Sequence, residues 1–197
     1  KRQGLIIAAP ASGSGKTTIT LGLARALSRA GVRVATAKAG PDYIDPGFHA
    51  AATARPCLNL DSWAMRPATL GALVTRLSDD AELVLCEGVM GLFDGVDARV
   101  GHQHDRPAGE RGLAASAAAL VQGFVAPPAS LARPDLRIAG VIFNRVGGEG
   151  HVRLLHETMR QALPDLPVLG CIARDAGIGT PERHLGLVPA GERPALE

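Results

Sequence analysis

The sequence contains few cysteines, and this limits the kinds of site it can hold. Cys57, Cys86 and Cys171 are its only cysteines, and no two of them have the CxxC spacing. The pattern therefore indicates neither a disulfide framework nor a cysteine-based zinc site. Because Cys86 lies in an apolar run, we predict that it is a core residue.

Runs of charge and long apolar runs are also missing. The net charge is only +2 and no segment is rich in Lys and Arg, which argues against nucleic acid or an anionic membrane as a partner. No apolar run approaches the ~18 residues of a membrane span, and no signal peptide precedes the first strand. We therefore expect a cytoplasmic protein that binds small anions. The chain begins with Lys1 rather than Met, so we expect earlier residues to exist.

The remaining composition favours one folded domain. Hydrophobic residues make up 46% and charged residues 20% of the 197 residues, which is enough to form a core.

Residues 4–27 contain the most informative pattern. Leu5–Ala8 predicts a strand buried on both faces, and an amphipathic helix is expected from Lys16 onward. Gly13 and Gly15 let the backbone curl so that successive N–H groups face an anion at the helix N-terminus. Lys16 is predicted to reach the β- and γ-phosphates of a nucleotide, with the Thr17 hydroxyl on Mg²⁺. We expect the phosphates to contact Ser12, Gly13, Ser14, Gly15, Lys16, Thr17 and Thr18.

The loop departs from the common phosphate-binding pattern at one position. GxxxxGK[ST] requires glycine at position 10, where this chain has Pro10, so the loop belongs to a variant class. The alternative is a glycine turn that merely precedes a helix.

A second loop rich in polar groups follows a predicted strand at Arg33–Ala37. Asp42 and Asp45 flank Tyr43, and Pro41 and Pro46 stiffen the backbone around them. Carboxylates on a rigid loop at this edge of the sheet are suited to hold Mg²⁺ or orient a substrate. Alternatively, they cap a helix that begins near Gly47.

The next strand, Glu82–Cys86, ends at Glu87. An acidic residue at this position in phosphate-binding-loop proteins commonly holds Mg²⁺ or its water, and the alternative is an ordinary strand-end glutamate. Between the two strands, residues 67–77 have the apolar spacing of a helix. Asp61 is a cap or a supporting carboxylate, and Trp63 is expected in the core.

Two further strands are predicted at 137–143 and 168–172, with a helix between them. Asn144 directly follows the first of these strands, where its amide could donate and accept at an adenine edge. Alternation of apolar strands with helices predicts an α/β fold with a doubly wound, mainly parallel sheet.

Several segments together resemble the N-terminal domain of the cobyrinic acid or hydrogenobyrinic acid a,c-diamide synthases. These segments are APASGSGKTT, KAGPDYIDPGFH, NLDSW, EGVMGLFDG, GVIFNRV and PERHLGLVPAGE, in this order, and they cover most of the chain. GPDYIDP is the most specific segment, because general phosphate-binding-loop proteins lack it.

The resemblance implies a dethiobiotin synthetase-like fold and a ligase that forms C–N bonds. In that family Mg-ATP phosphorylates the a- and c-side carboxylates of a corrinoid, cobyrinic or hydrogenobyrinic acid, and ammonia displaces the phosphate in cobalamin biosynthesis. Lys16, Asp42 and Asp45 would be catalytic, and Thr17, Asp42 and Glu87 would hold Mg²⁺. Tyr43, Ile44 and Asp45 would face the corrinoid, and Asn144 would meet adenine. A homodimer is one open alternative for the assembly.

The family normally continues into a glutamine amidotransferase domain that liberates ammonia. We expect residues 1–197 to be the ATP-binding domain alone, with that second domain outside this chain. None of the three cysteines has a nucleophile context, so we assign no glutaminase activity here and expect ammonia from solution or from a glutaminase domain.

One segment breaks the resemblance. The family has an apolar strand after Gly95, whereas residues 97–112 read DARVGHQHDRPAGERG. Back-translation of a family-like Gly-Thr-Ser-Thr-Thr-Asp-Leu, read one base out of frame, gives Gly-His-Gln-His-Asp-Arg-Pro, which is residues 101–107. We therefore hypothesise a local reading-frame error with loss of a central strand. The rival interpretation is a metal-binding loop containing His102 and His104.

Three other functions compete with this interpretation. A related a,c-diamide synthase acts on nickel-sirohydrochlorin, and the sequence does not separate these tetrapyrroles. Partner-binding ATPase switches usually have an early second lysine, as in KGGxGKT, whereas this chain has Ala11-Ser12-Gly13. The third alternative is an inactive remnant that binds nucleotide weakly or not at all.

Overall fold

The structure, a computed structural model, describes residues 3–93, 115–127, 136–175 and 177. These residues fall into two compact units, one formed by residues 3–93 and the other by the later described residues. Residues 97–112, with His102 and His104, lie outside the described residues, as does the PERHLGLVPAGE segment.

The first unit alternates strands and helices. Its elements are β1 (Gln3–Ile7), α1 (Lys16–Arg29), β2 (Val34–Ala39), α2 (Asp45–Thr53), β3 (Cys57–Leu60), α3 (Pro67–Asp79) and β4 (Leu83–Glu87). Proline stands in the first turn of both α2 and α3, where its fixed φ suits a helix and its missing N–H has no helical partner to lose.

The four strands form one parallel sheet in the order β1-β4-β2-β3. In β2 and β4, Val34 is level with Leu83 and Lys38 is level with Glu87. The carboxyl ends of these two strands therefore lie side by side. Ile7, the last residue of β1, is also level with Glu87, so the phosphate-binding loop begins at the same sheet edge.

Helices cover both faces of this sheet. On one face, Ala24 of α1 packs with Val34 and Leu85. On the other, Leu77 of α3 packs with Ala35 and Ala37. Because strand side chains alternate between faces, Lys38 and Glu87 share the face of Val34 and Leu85. This arrangement confirms the predicted α/β fold with a mainly parallel sheet.

The second unit contains α4 (Ala115–Val125), β5 (Val141–Val146), α5 (Glu149–Ala162) and β6 (Val168–Ala173). β5 and β6 pair in parallel as a separate two-stranded sheet. Ala117, Val146 and Leu155 form its buried centre. The helix predicted between the last two strands is therefore present as α5.

Two strand predictions need correction, and one strand was missed. Leu5 and Ile6 are 45% and 61% exposed rather than buried, because β1 pairs only with β4 among the described residues and lies at the sheet edge. β3 was not predicted, since its four residues are all only half-buried and Asn59 interrupts the apolar pattern. β5 begins at Val141 instead of Arg137, where its partner β6 begins after Pro167.

Candidate functional site

The loop between β1 and α1 has the backbone expected of a phosphate-binding nest. Gly13 has φ 74° and Gly15 has φ 90°, which are left-handed conformations that glycine adopts without steric cost. Gly15 immediately precedes α1 as its N-cap residue, and it makes no side-chain capping bond to the first N–H groups of the helix. These N–H groups and the helix dipole favour an anion at this position.

Two side chains of the loop fold back onto its backbone. Lys16 Nζ donates to the Ala11 carbonyl at 3.1 Å, and Ser14 Oγ donates to the same oxygen at 2.9 Å. Lys16 is only 9% exposed. The ammonium group therefore lies against the loop, within reach of an anion bound there.

The segment after β4 is held against the start of this loop. The Gly88 N–H donates to the Ile7 carbonyl at 2.9 Å, and the Leu92 N–H donates to the Ala9 carbonyl at 2.9 Å. A Cβ on Gly88 would lie 3.1 Å from the Ile7 carbonyl oxygen. A side chain here would push the Ile7 carbonyl away by a few tenths of an ångström, so glycine favours the close approach that holds Glu87 beside the phosphate-binding loop.

Thr17 and Glu87 are in direct contact. The Thr17 hydroxyl donates to Glu87 Oε1 at 2.5 Å, and Glu87 is completely buried. A hydroxyl that donates its hydrogen still has oxygen lone pairs for a cation. Two residues predicted from the sequence as magnesium ligands are therefore adjacent in the structure.

Lys38 joins Glu87 to the second loop. Its Nζ lies 2.7 Å from Glu87 Oε1 and 2.7 Å from Asp45 Oδ2, and 3.9 Å from Asp42 Oδ2. Lys38, Asp45 and Glu87 are all nearly inaccessible to solvent. A single buried ammonium group thus neutralises part of the charge of three carboxylates.

His49 completes the contacts of Glu87. Its Nε2 lies 2.7 Å from Glu87 Oε2, on the side of the carboxylate away from the Oε1 contacts. His49 is completely buried and follows Asp45 by one helical turn of α2. Both oxygens of Glu87 therefore have hydrogen-bonding partners within the protein.

The pKa values of this cluster follow from these contacts. Burial opposes ionisation of Glu87, but hydrogen bonds from His49, Lys38 and Thr17 outweigh it and hold the pKa of Glu87 below its ordinary value. Burial also opposes the charge on Lys38, yet its bonds to Asp45 and Glu87 raise the Lys38 pKa above its ordinary value. Glu87 is therefore ionised and Lys38 protonated near neutral pH.

Asp42 makes the capping contacts that the sequence left as an alternative. Its Oδ1 accepts the N–H groups of Ile44 and Asp45, each at 2.9 Å, at the start of α2. Burial acts against ionisation, but these backbone bonds and Lys38 lower the pKa of Asp42. The Asn59 amide donates to the Asp42 carbonyl at 2.7 Å and holds the loop against β3. Asp42 therefore orders the loop, and its role toward a metal remains a prediction.

The other predicted residues of the first unit are more exposed or have local roles. The Tyr43 side chain is 94% exposed and Ile44 is half-buried. Asp61 caps the turn after β3 by accepting the N–H groups of Trp63 and Ala64. The prediction that Trp63 lies in the core is wrong, because its side chain is 80% exposed.

Asn144 belongs to the second unit and lies within β5 rather than after it. The β5–β6 register shifts between Phe143 and Val146, and Arg145 has φ 56°. Asn144 is therefore at a bulge, a feature that can redirect a side chain near a binding site. Its proposed contact with adenine stays a prediction.

The described residues offer no metal centre built from His, Cys, Asp and Glu alone. No group of three or more such side chains within that part of the chain could hold a metal ion. Burial raises the pKa of the Cys57 thiol to about 11 and also raises that of Cys86, so neither is an activated nucleophile. Among the described helices, none is long and apolar enough to cross a membrane.

The chain matches the model of a known protein family. The model of the CobQ/CobB/MinD/ParA nucleotide binding domain (CbiA) matches residues 5–188, which is most of the chain. The chain belongs to this family. This membership confirms the prediction of a nucleotide-binding domain, and the role of the loop before α1 stays a prediction.

Two similar relatives carry the same name. The chain is 48% identical over 205 residues to the hydrogenobyrinate a,c-diamide synthase of Rhizobium meliloti, covering 98% of this chain and 46% of that protein. It is 50% identical over 208 residues to the protein of the same name from Brucella anthropi, covering 99% of this chain and 46% of the relative. The chain therefore spans about half the length of the curated relatives it matches.

Two buried residues of this candidate site were missed by the sequence predictions. Lys38 and His49 both stand in the quoted KAGPDYIDPGFH segment, but no role was assigned to either. The i,i+4 spacing of Asp45 and His49 was a usable signal, because it places both on one face of a helix. Lys38 gave no such signal, since its partners come from a neighbouring strand and from α2.

Proposed function

We propose that this chain is the ATP-binding amidoligase domain of a hydrogenobyrinate or cobyrinate a,c-diamide synthase. The observation that carries the proposal is the contact chain from Thr17 through Glu87 and Lys38 to Asp45. It joins the phosphate-binding loop to the GPDYIDP segment, the most specific part of the family resemblance. The names of the relatives support the same substrate class.

ATP and Mg²⁺ fit the side chains at this site. A hydroxyl and a carboxylate are hard oxygen donors, and Mg²⁺ is commonly held by one or two such groups together with phosphates and waters. Thr17 and Glu87 supply this pair, with Asp42 as a third candidate. When bound, the metal would neutralise charge on the phosphates during transfer.

The proposed reaction has two steps. A corrinoid carboxylate oxygen bonds to the γ-phosphorus of ATP and the bond to ADP breaks, giving an acyl-phosphate. The ammonia nitrogen then bonds to the acyl carbon and the bond from that carbon to the phosphate oxygen breaks. The proton lost by the nitrogen leaves with the phosphate, which gives the amide and hydrogen phosphate. Both reactants in the first step are anions, so fixed positive charge is needed to bring them together.

The residues of the chain divide this task between them. Lys16 and the loop amides with Ser12–Thr18 would bind the phosphates, while Lys38 holds Asp45 and Glu87 in place through its two short contacts. Tyr43, with its ring almost fully exposed, and half-buried Ile44 would contact the corrinoid. Asp45 is buried against Lys38, so its predicted contact with the substrate would require this pair to open. Asn144 would recognise adenine. Ammonia would come from solution or from a glutaminase domain.

Calorimetry with Mg-ATP on the 197-residue chain tests the first requirement. We expect binding by the parent chain and loss of binding in Lys16→Ala, with Arg29→Ala, at the far end of α1, as the matched control. Ammonia-dependent amidation of hydrogenobyrinic, cobyrinic and nickel-sirohydrochlorin substrates then tests the reaction and separates the tetrapyrroles.

Two results would contradict the proposal. Absence of nucleotide binding by the parent chain would favour the inactive remnant. Binding of Mg-ATP with no amide formed from any of these substrates and ammonia would favour a partner-binding ATPase.

A further inference from the structure

The face of α2 that packs against the sheet is polar, which is unusual for a buried helix face. Its buried residues are Asp45, His49 and Thr53, spaced one turn apart. Buried helix faces normally carry apolar side chains, because an unpaired polar group costs free energy in the interior. Among the described residues, the Thr53 hydroxyl donates to the nearby carbonyls of His49 and Arg55 and accepts the Arg55 N–H. Asp45 and His49 instead contact Lys38 and Glu87 of the site.

The two ring nitrogens of His49 differ in their contacts. Nε2 lies 2.7 Å from Glu87 Oε2, and Nδ1 is buried with no hydrogen-bond partner among the described residues. A hydrogen on Nδ1 would have no acceptor, whereas a hydrogen on Nε2 has the carboxylate. The geometry therefore fits the tautomer with its hydrogen on Nε2.

This bond fixes how Glu87 presents its carboxylate. With Oε2 held by His49, Oε1 is the oxygen left facing the Thr17 hydroxyl and Lys38 Nζ. Partners behind a ligand orient it, and their loss commonly lowers metal affinity ~10–100-fold. We propose that His49 is a positioning residue that orients Glu87 toward the Mg²⁺ of the bound nucleotide. This inference rests on the proposed function.

Two substitutions of His49 distinguish the hydrogen bond to Glu87 from simple filling of the space that the imidazole ring occupies. The amide nitrogen of Gln is as many bonds from Cα as His Nε2, and that of Asn as many as His Nδ1. His49→Gln can therefore keep the bond to Glu87, while His49→Asn is too short to reach. Thr53→Val, on the same buried face, controls for damage to α2.

The measurement is the ratio of ATP affinity with Mg²⁺ to ATP affinity with EDTA, by calorimetry, together with the thermal midpoint of each variant. We expect the wild type, His49→Gln and Thr53→Val to keep the enhancement by Mg²⁺. His49→Asn should lose ~10–100-fold of that enhancement. Its affinity for ATP in EDTA should stay near the wild-type value.

Several outcomes would overturn the inference. It fails if His49→Asn keeps the full enhancement, or if His49→Gln loses as much as His49→Asn. It also fails if Thr53→Val shows the same loss, or if His49→Asn no longer binds ATP in EDTA, because α2 packing would then explain the effect. A wild type that binds ATP without any enhancement by Mg²⁺ would overturn the metal site of the proposed function as well, which distinguishes the two failures.

Discussion

Lys38 Nζ lies 2.7 Å from Glu87 Oε1, although the two residues are 49 positions apart in the chain. They are level with each other at the carboxyl ends of β2 and β4 and project from the same face of the sheet. Parallel pairing brings strand ends together at one edge, which is where open α/β sheets bind ligands. Formation of the β2–β4 pair therefore also brings these two residues of the site into contact.

Removal of Lys38 should destabilise the first unit strongly. Lys38→Ala leaves Asp45 and Glu87 buried without their shared cation, so we expect a loss of ~3–5 kcal/mol in the free energy of unfolding, measured with urea. Arg33→Ala is the control, since its contact with Glu82 at 3.7 Å is exposed and worth under ~1 kcal/mol. Equal losses in the two variants would contradict the importance of the buried pair.

The stability of the fold should fall in acid because of Glu87. The pKa of the Glu87 carboxyl lies below its ordinary value of 4.5. The ionised carboxylate therefore stabilises the folded state fully above pH 4.5, and this stabilisation is lost as the pH falls through the lowered pKa. Lys38 affects stability at alkaline pH. Because its pKa lies above the ordinary 10.5, its contribution to the free energy of unfolding is complete below pH 10.5 and is lost only as the pH rises through the raised pKa. Urea unfolding from acid to neutral pH should show a weaker pH dependence in Glu87→Gln. Parallel curves for wild type and variant would refute this assignment.

A side chain at Gly88 should disturb the loop. In Gly88→Ala the new Cβ would lie 3.1 Å from the Ile7 carbonyl oxygen, which is a backbone atom with little room to move. We expect a loss of ~1–3 kcal/mol in the free energy of unfolding together with weaker nucleotide binding. Gly71→Ala is the matched control, because Gly71 lies within α3 with open space around it. Gly71→Ala should raise the free energy of unfolding by ~0.5–1 kcal/mol. Equal losses in Gly71→Ala and Gly88→Ala would exclude the proposed close contact at Gly88.

Tyr43 should matter to the substrate and not to the fold. Its side chain is 94% exposed, so Tyr43→Ala should change the free energy of unfolding by less than ~0.5 kcal/mol and leave Mg-ATP affinity unchanged. The KM for the corrinoid should rise in ammonia-dependent amidation assays. Trp63→Ala, which removes another exposed aromatic ring, should leave KM unchanged. An unchanged KM in Tyr43→Ala would remove Tyr43 from the proposed substrate contacts.

The frame-error hypothesis makes a prediction about the coding DNA. Codons for residues 101–107, shifted by one base, should encode the family-like Gly-Thr-Ser-Thr-Thr-Asp-Leu. Sequencing the source DNA checks this directly. In-frame codons for the His-Gln-His-Asp stretch, with no family-like overlap, would count against the error.

Local patterns in the sequence were sufficient for much of the fold. Left-handed Gly13 and Gly15 before Lys16 follow from a glycine-rich turn between an apolar run and a helical pattern. The helix at Pro67–Asp79 and the strand ending at Glu87 were predicted from apolar spacing. Short β3 was missed because four half-buried residues leave no period to detect.

By itself the sequence determined which residue types stand at the strand ends and loops: Thr17, Asp42, Asp45 and Glu87 were all identifiable from local context. Only the tertiary structure decided how they pair. The β2–β4 register places Lys38 beside Glu87, and the packing of α2 places His49 on the other carboxylate oxygen. Such contacts depend on the relative positions of separate elements, which burial of the whole sheet fixes and which no local pattern specifies.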